Sequence, residues 1–307
     1  MIESYEDRLF RLAREDDRIL VLTAENRAPI RGLPERLGDR FLDVGIAEQT
    51  LVGAAAGLAL QGRIPIAHAL ASFLTMRAFE FIRTDVAIPH LPVKLVGSAA
   101  GILSEANGPT HQALEDVALM RSVPGVEVFC PADAEDLVLA LPAIVASPAP
   151  AYIRLNLRPP ALTHDEPFEI GRAEFVERGS DILILCAGAL LREALEASRR
   201  LASGGLSIGL INVRSVEPLD EGPILDAVRS AAMTVVIEDH FRTGGLATVL
   251  ADLLLSKGET AAVLPISFPA RWFEPALLSR AIEAAGLDGP QLAGRIRTAW
   301  RDRRRTT

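Results

Sequence analysis

Short apolar runs rich in β-branched residues alternate along the chain with longer stretches of helical period. Residues Ile19–Thr23, 41–44, 64–67, 93–97, 126–129 and Ala151–Leu155 read as strands. Their runs are continuously apolar instead of alternating, so they predict a parallel sheet covered on both faces by the intervening helices, an open doubly wound α/β arrangement. After Asn156 the pattern breaks, because residues 157–167 are irregular and rich in proline. The alternation then resumes, with strands over Ile182–Ala187, 207–213, 234–238 and 262–267 and helices near 190–202, 221–232, 245–256 and 275–285. The chain therefore divides into a first α/β domain at 1–156, a linker at 157–170 and a second, smaller α/β domain at 171–307.

A length of 307 residues, 49% of them hydrophobic and 23% charged, fits two globular domains. The net charge of −8 offers no broad basic field for nucleic acid or an anionic membrane surface. Arg301 and Arg303, Arg304 and Arg305 form a local basic run that reads as a solvated end. No basic-then-apolar leader and no apolar run near the ~20 residues of a membrane helix occurs, so a cytoplasmic location is expected. Cys130 and Cys186 lie far apart without metal-ligand spacing, which suits a reducing compartment and leaves the chain with no expected metal site of its own.

Four places can carry chemistry. The run Asp43-Val44-Gly45-Ile46-Ala47-Glu48-Gln49 passes from a strand end into a helix, the edge of an α/β sheet where ligands bind. Glu48 falls in the first helical turn, where the dipole favours a carboxylate; from spacing alone it reads as an acid satisfying free amides before it reads as a catalytic group. The helix that follows is built of small residues, Gly53-Ala54-Ala55-Ala56-Gly57, and is open to close approach by another chain. In Gly108-Pro109-Thr110-His111-Gln112, a Gly-Pro turn delivers His111 to a helix start at the same edge. Phe73 follows the third strand, as a core aromatic or a ligand platform, and Arg154 ends the sixth, either paired to a structural acid or holding an anionic group.

Taken in order, DVGIAEQ, ASFLTMRAFEFIRTDVAIPHLPVKLVG and GPTHQALEDVALMRSVPGVEVFCPAD resemble the pyrimidine-binding domain of transketolases, and INVRSVEPLDE with VVIEDHFRTGGLA resembles their C-terminal domain. The resemblance covers the chain from Ile19 to about Arg295 and implies thiamine-diphosphate chemistry: moving a two-carbon ketol unit from a ketose donor to an aldose acceptor. It implies that Glu48 hydrogen-bonds the coenzyme's aminopyrimidine and promotes deprotonation of the thiazolium, that Phe73 packs on the pyrimidine ring, and that Glu25 lies near the thiazolium. It further implies that His111 and Asn107 contact substrate and that Arg154 holds a sugar phosphate.

The family's Gly-Asp-Gly motif, which begins its Mg²⁺ and diphosphate site, is missing, and so is a further domain of similar size. The chain thus resembles the C-terminal subunit of a split transketolase: inactive alone, completed by an N-terminal partner subunit that supplies the Mg²⁺ ligands, and forming an α2β2 heterotetramer. Two departures touch the substrate. Ala99 stands where the family has a phosphate-binding His, and Asn107 where it has an Asp that recognises a donor hydroxyl, which together imply a donor or acceptor unlike ordinary sugar phosphates. Three other readings share features of the chain: the β subunit of a 2-oxo-acid dehydrogenase decarboxylase, a deoxyxylulose-phosphate synthase, which normally has His where this chain has Thr50, and a non-catalytic scaffold.

Overall fold

The structure is a computed structural model and describes residues 3–105, 107–165 and 167–306. The first half contributes β1 (Ile19–Thr23), β2 (Phe41–Asp43), β3 (Ile64–Leu70), β4 (Lys94–Ser98), β5 (Glu127–Phe129) and β6 (Ala151–Leu155). The second contributes β7 (Glu174–Glu177), β8 (Ile182–Ala187), β9 (Ile208–Asn212), β10 (Ser215–Glu217), β11 (Met233–Phe241) and β12 (Val263–Phe268). One sheet runs β10-β5-β6-β4-β3-β1-β2 and the other β12-β11-β8-β9-β7. Every pairing is parallel except β10 with β5 and β7 with β9, so the doubly wound α/β reading holds for both halves.

The reason lies in the strands themselves. β1, β4, β6, β8 and β9 are buried at every residue, which a sheet achieves only with helices on both faces. Two strands escape the apolar pattern. β7 and β10 have four and three residues, and both are antiparallel edge strands whose pairing is not encoded as a long apolar run. β10 also comes from the second half yet extends the first sheet, through Ser215 opposite Phe129.

The two halves share a core. One cluster of buried side chains includes Leu22, Leu95 and Val128 from the first half with Leu185, Val213 and Val236 from the second. The segment between them is irregular but packed: Asn156, His164 and Phe168 are buried, and Arg158 donates to Ala189 O and to Glu193. The basic run at the end is not a loose tail. It continues the helix Gly289–Thr306, whose Leu292, Ile296 and Trp300 pack with Leu191, Ala194 and Leu195 of the helix Leu191–Ala202. Among the described residues, no helix is long and apolar enough to cross a membrane.

Candidate active site

Because β2, β1, β3, β4 and β6 are parallel neighbours, their C-terminal ends lie along one edge. The candidate residues leave from that edge. Asp43 organises the first turn: its Oδ1 accepts from the amides of Glu25 (3.1 Å) and Gly45 (2.9 Å), and its Oδ2 accepts from Arg27 Nε (2.6 Å). Burial alone would raise the Asp43 carboxyl, but these hydrogen bonds hold it below the usual carboxylate range. The turn so fixed starts the helix Glu48–Leu60 with Glu48 as its first residue, 2% exposed.

Glu48, Phe73 and His111 come together through a residue that the sequence motifs did not single out. Arg77 Nη1 donates to Glu48 Oε2 at 2.6 Å. The same guanidinium lies over the Phe73 ring, its carbon 4.3 Å from the centroid, and the Phe73 ring meets the His111 imidazole edge to face with centroids 4.9 Å apart. Phe73 and Arg77 bound one π-helical turn, a distortion common at functional sites, which sets them on one side at a spacing of four. That spacing was the readable signal for Arg77.

His111 is held by its own loop. Its amide donates to Gly108 O (3.0 Å), and its Nδ1 shares a hydrogen bond with Thr110 Oγ1 (2.8 Å), leaving Nε2 as the nitrogen open to a ligand. Gly108 has φ +67° and a Cβ there would lie 2.9 Å from the Pro275 ring, so only glycine lets the second half brace this loop. Asn107 Nδ2 donates to Ser104 Oγ at 3.3 Å; Ala106, beside it in the departing motif, lies outside the described residues.

Glu25 and Ala99, at the ends of β1 and β4, share an unusual backbone. Both are non-glycine residues in the left-handed region, at φ +54° and +55°, a strained choice that clusters at functional sites. Glu25 is exposed between the strands that lead to Glu48 and Phe73. Ala99 presents a methyl group. Among the described residues Ser72 Oγ, Ser98 Oγ and Gln112 Oε1 are buried without a hydrogen-bond partner; they neighbour Ala71, Ala99 and Ala113 in sequence, and Ala71 and Ala113 pack with Ala100. Orphaned polar atoms at such a spot suit an incoming polar ligand.

Arg154 corrects the expectation of a substrate anchor. It is 3% exposed, and its guanidinium is consumed: Nε donates to Asp116 Oδ2 (2.9 Å), Nη1 to Asp239 Oδ1 (2.5 Å), and Nη2 to the carbonyls of Asp239 and Ala113. The structural acid, not an anionic ligand, is its partner. Among the described residues no group of three or more His, Cys, Asp or Glu side chains is placed to hold a metal ion.

Comparison with known proteins identifies the family. Residues 1–158 match the family model "Transketolase, pyrimidine binding domain", and residues 171–292 match "Transketolase, C-terminal domain". The chain is 38% identical over 257 residues to the 6-deoxy-6-sulfo-D-fructose transketolase subunit SqwH of Clostridium sp. (strain MSTE9), covering 82% of this chain and 80% of that one. It is 33% identical to the 1-deoxy-D-xylulose-5-phosphate synthase of Synechococcus sp. (strain JA-2-3B'a(2-13)), where 96% of this chain covers 46% of the longer protein. A solved structure described as "Split gene transketolase, inactive beta4 tetramer" superposes with a TM-score of 0.88 at 32% identity, covering 96% of each chain. With both domain models matched in order along its length, the chain belongs to the transketolase family.

Proposed function

We propose that this chain is the coenzyme-activating subunit of a two-chain, thiamine-diphosphate-dependent transketolase, transferring a two-carbon ketol unit from a ketose to an aldehyde or aldose. The observation that carries the reading is the contiguous set Glu48, Phe73 and His111 at the C-terminal sheet edge of a transketolase-family pyrimidine domain. The fit to the coenzyme's ring is supported by what already lies there: a flat, hydrogen-bond-donating guanidinium between the Glu48 carboxylate and the Phe73 face.

When bound, thiamine diphosphate supplies a carbon nucleophile for breaking and remaking the bond beside the ketose carbonyl. In this reading Glu48, buried at a helix start and reachable from the sheet edge, holds and returns a proton at the aminopyrimidine ring nitrogen. Phe73 orients that ring by its apolar face. His111 Nε2 exchanges a proton with the substrate hydroxyl while Thr110 holds Nδ1. Glu25, exposed at the end of β1, faces the thiazolium side, and Asn107 contacts the donor.

The diphosphate and Mg²⁺ belong to an N-terminal partner subunit, in an α2β2 assembly. Two relatives support this: one is described as a transketolase subunit, and another, made of β chains only, as an inactive tetramer. The substrate is read as a ketose whose terminal group is not phosphate, because Ala99 offers neither charge nor hydrogen bond and one relative acts on a sulfonated fructose.

The test is ketol transfer by the chain assembled with its partner. Glu48→Gln, which keeps the shape and loses the proton relay, is expected to lower kcat by roughly 10²–10⁴-fold. Near-normal turnover in that variant refutes the assignment. Pyruvate as donor in the same assay decides the competing synthase reading, which the 33% identity to deoxyxylulose-phosphate synthases favours.

A further inference from the structure

Arg77 has no part in the chemistry proposed above, yet it occupies the middle of the site. Its Nη1 takes Glu48 Oε2 at 2.6 Å and its guanidinium covers the Phe73 ring at 4.3 Å. These are the two contacts that the reading under Proposed function requires for the aminopyrimidine ring: a hydrogen bond with Glu48 and a flat face against Phe73. A guanidinium and an aminopyrimidine share the needed chemistry, since both are planar, carry N–H groups at the edge and stack on aromatic faces. Two planar groups cannot both stack on one face of the Phe73 ring, so the guanidinium and the aminopyrimidine compete for it.

We propose that Arg77 is an affinity-setting stand-in for the coenzyme's aminopyrimidine, held between Glu48 and Phe73 until the ring displaces it. The inference rests on the coenzyme reading and adds a residue to it. The asymmetry of the pair fits displacement: the Arg77 side chain is 44% exposed and that of Glu48 3%. The arginine can swing into water without burying its charge, whereas Glu48 without a partner is a buried carboxylate facing nothing, a costly state in a chain that awaits both coenzyme and partner subunit. Arg77 closes the π-helical turn that Phe73 opens, so displacement of its half-exposed side chain involves a residue distinct from the ring it covers.

The test is isothermal titration of thiamine diphosphate, with Mg²⁺ present, into the chain assembled with its partner subunit, using wild type, Arg77→Ala, Arg77→Lys and Glu48→Gln. Arg77→Ala removes the competitor and is expected to tighten coenzyme binding roughly three- to tenfold, the scale of a half-exposed ion pair with a stacked cation. Arg77→Lys keeps the charge but loses the planar stack and is expected to fall between Arg77→Ala and wild type; it decides the matter if Arg77→Ala melts early. Equal or weaker binding in the Arg77 variants, with Glu48→Gln still weakening it, overturns the inference alone, because Arg77 is then a permanent partner of the site. No binding by the wild-type assembly overturns the coenzyme reading and this inference with it.

Discussion

Arg154 Nη1 lies 2.5 Å from Asp239 Oδ1, so a side chain of β6 in the first sheet is tied to β11 in the second. The same guanidinium reaches Asp116 at 2.9 Å, and Asp116 also accepts from Tyr152 Oη at 2.6 Å. One cation therefore neutralises two buried carboxylates that come from different halves of the chain. Arg154→Met leaves both acids without a cation, and breaking a buried pair in this way costs about 3–5 kcal/mol. Arg154→Lys should lose much of the same, because a single ammonium cannot fork between two carboxylates. Urea unfolding checks this, and a midpoint equal to wild type would show that the ties contribute nothing to stability.

The contrast between Arg154 and Glu48 shows what a sequence can carry. Glu48 and Phe73 are legible because they follow β2 and β3 within five residues, and His111 because a Gly-Pro turn marks the loop after β4; parallel strands present those ends together. The fate of Arg154 depends on Asp116 and Asp239, 38 and 85 residues away, and no local pattern distinguishes a buried structural partner from a ligand. Arg77 is an intermediate case. Its spacing from Phe73 is local, but its pairing with Glu48 spans 29 residues. The short strand β10 is hidden for a related reason: three residues hold no period, and their partner β5 belongs to the other half.

Ala99 carries the substrate prediction. Its φ of +55° already holds a Cβ in the left-handed region, so a larger unbranched side chain adds no new class of backbone strain. Ala99→His places an imidazole where the resemblance to transketolases implies one, next in sequence to Ser98, whose hydroxyl is buried without a partner among the described residues. The reconstituted enzyme should then lower its KM for a phosphorylated ketose relative to an unphosphorylated one by roughly three- to tenfold. Steady-state kinetics with both donors measures the ratio, and an unchanged ratio removes position 99 from substrate recognition.

His164 ties the linker to both halves. Its Nε2 lies 3.0 Å from Asp133 Oδ2 and its Nδ1 2.8 Å from Glu174 Oε2. Burial works against the imidazolium, but the two carboxylates outweigh it and hold the pKa up at about 10; Glu174 is correspondingly pulled down to about 2 despite its burial. A histidine raised from 6.5 contributes stability that is complete below about pH 6.5 and is lost as pH climbs to about 10. The slope for one proton is about 1.4 kcal/mol per pH unit across that window. His164→Gln should flatten the alkaline fall in unfolding free energy by that amount, and parallel pH profiles for the two proteins would contradict the pairing.

Glu238 poses the opposite problem, a carboxyl that the fold prefers neutral. Its oxygens accept from the amides of Leu246 (2.5 Å) and Ala247 (3.4 Å) at the start of the helix Leu246–Ser256. Glycine at 245 leaves room for this carboxyl, since a Cβ there would overlap it and force it to move. Burial pushes the pKa up to about 8, and the two amide hydrogen bonds recover only part of the charged form's lost solvation. The unfolded chain gives up this proton near its ordinary 4.5, so stability declines as pH rises from about 4.5 to about 8 and is flat in this group beyond. Glu238→Gln keeps an oxygen for Leu246 and never ionises, so its advantage over wild type should grow across that window. A gap widening by about 2–4 kcal/mol between pH 5 and pH 8.5 is expected in urea unfolding. The constant offset from losing one acceptor oxygen does not change with pH, so the widening isolates the titration; a gap that stays constant over the range would place the Glu238 proton elsewhere.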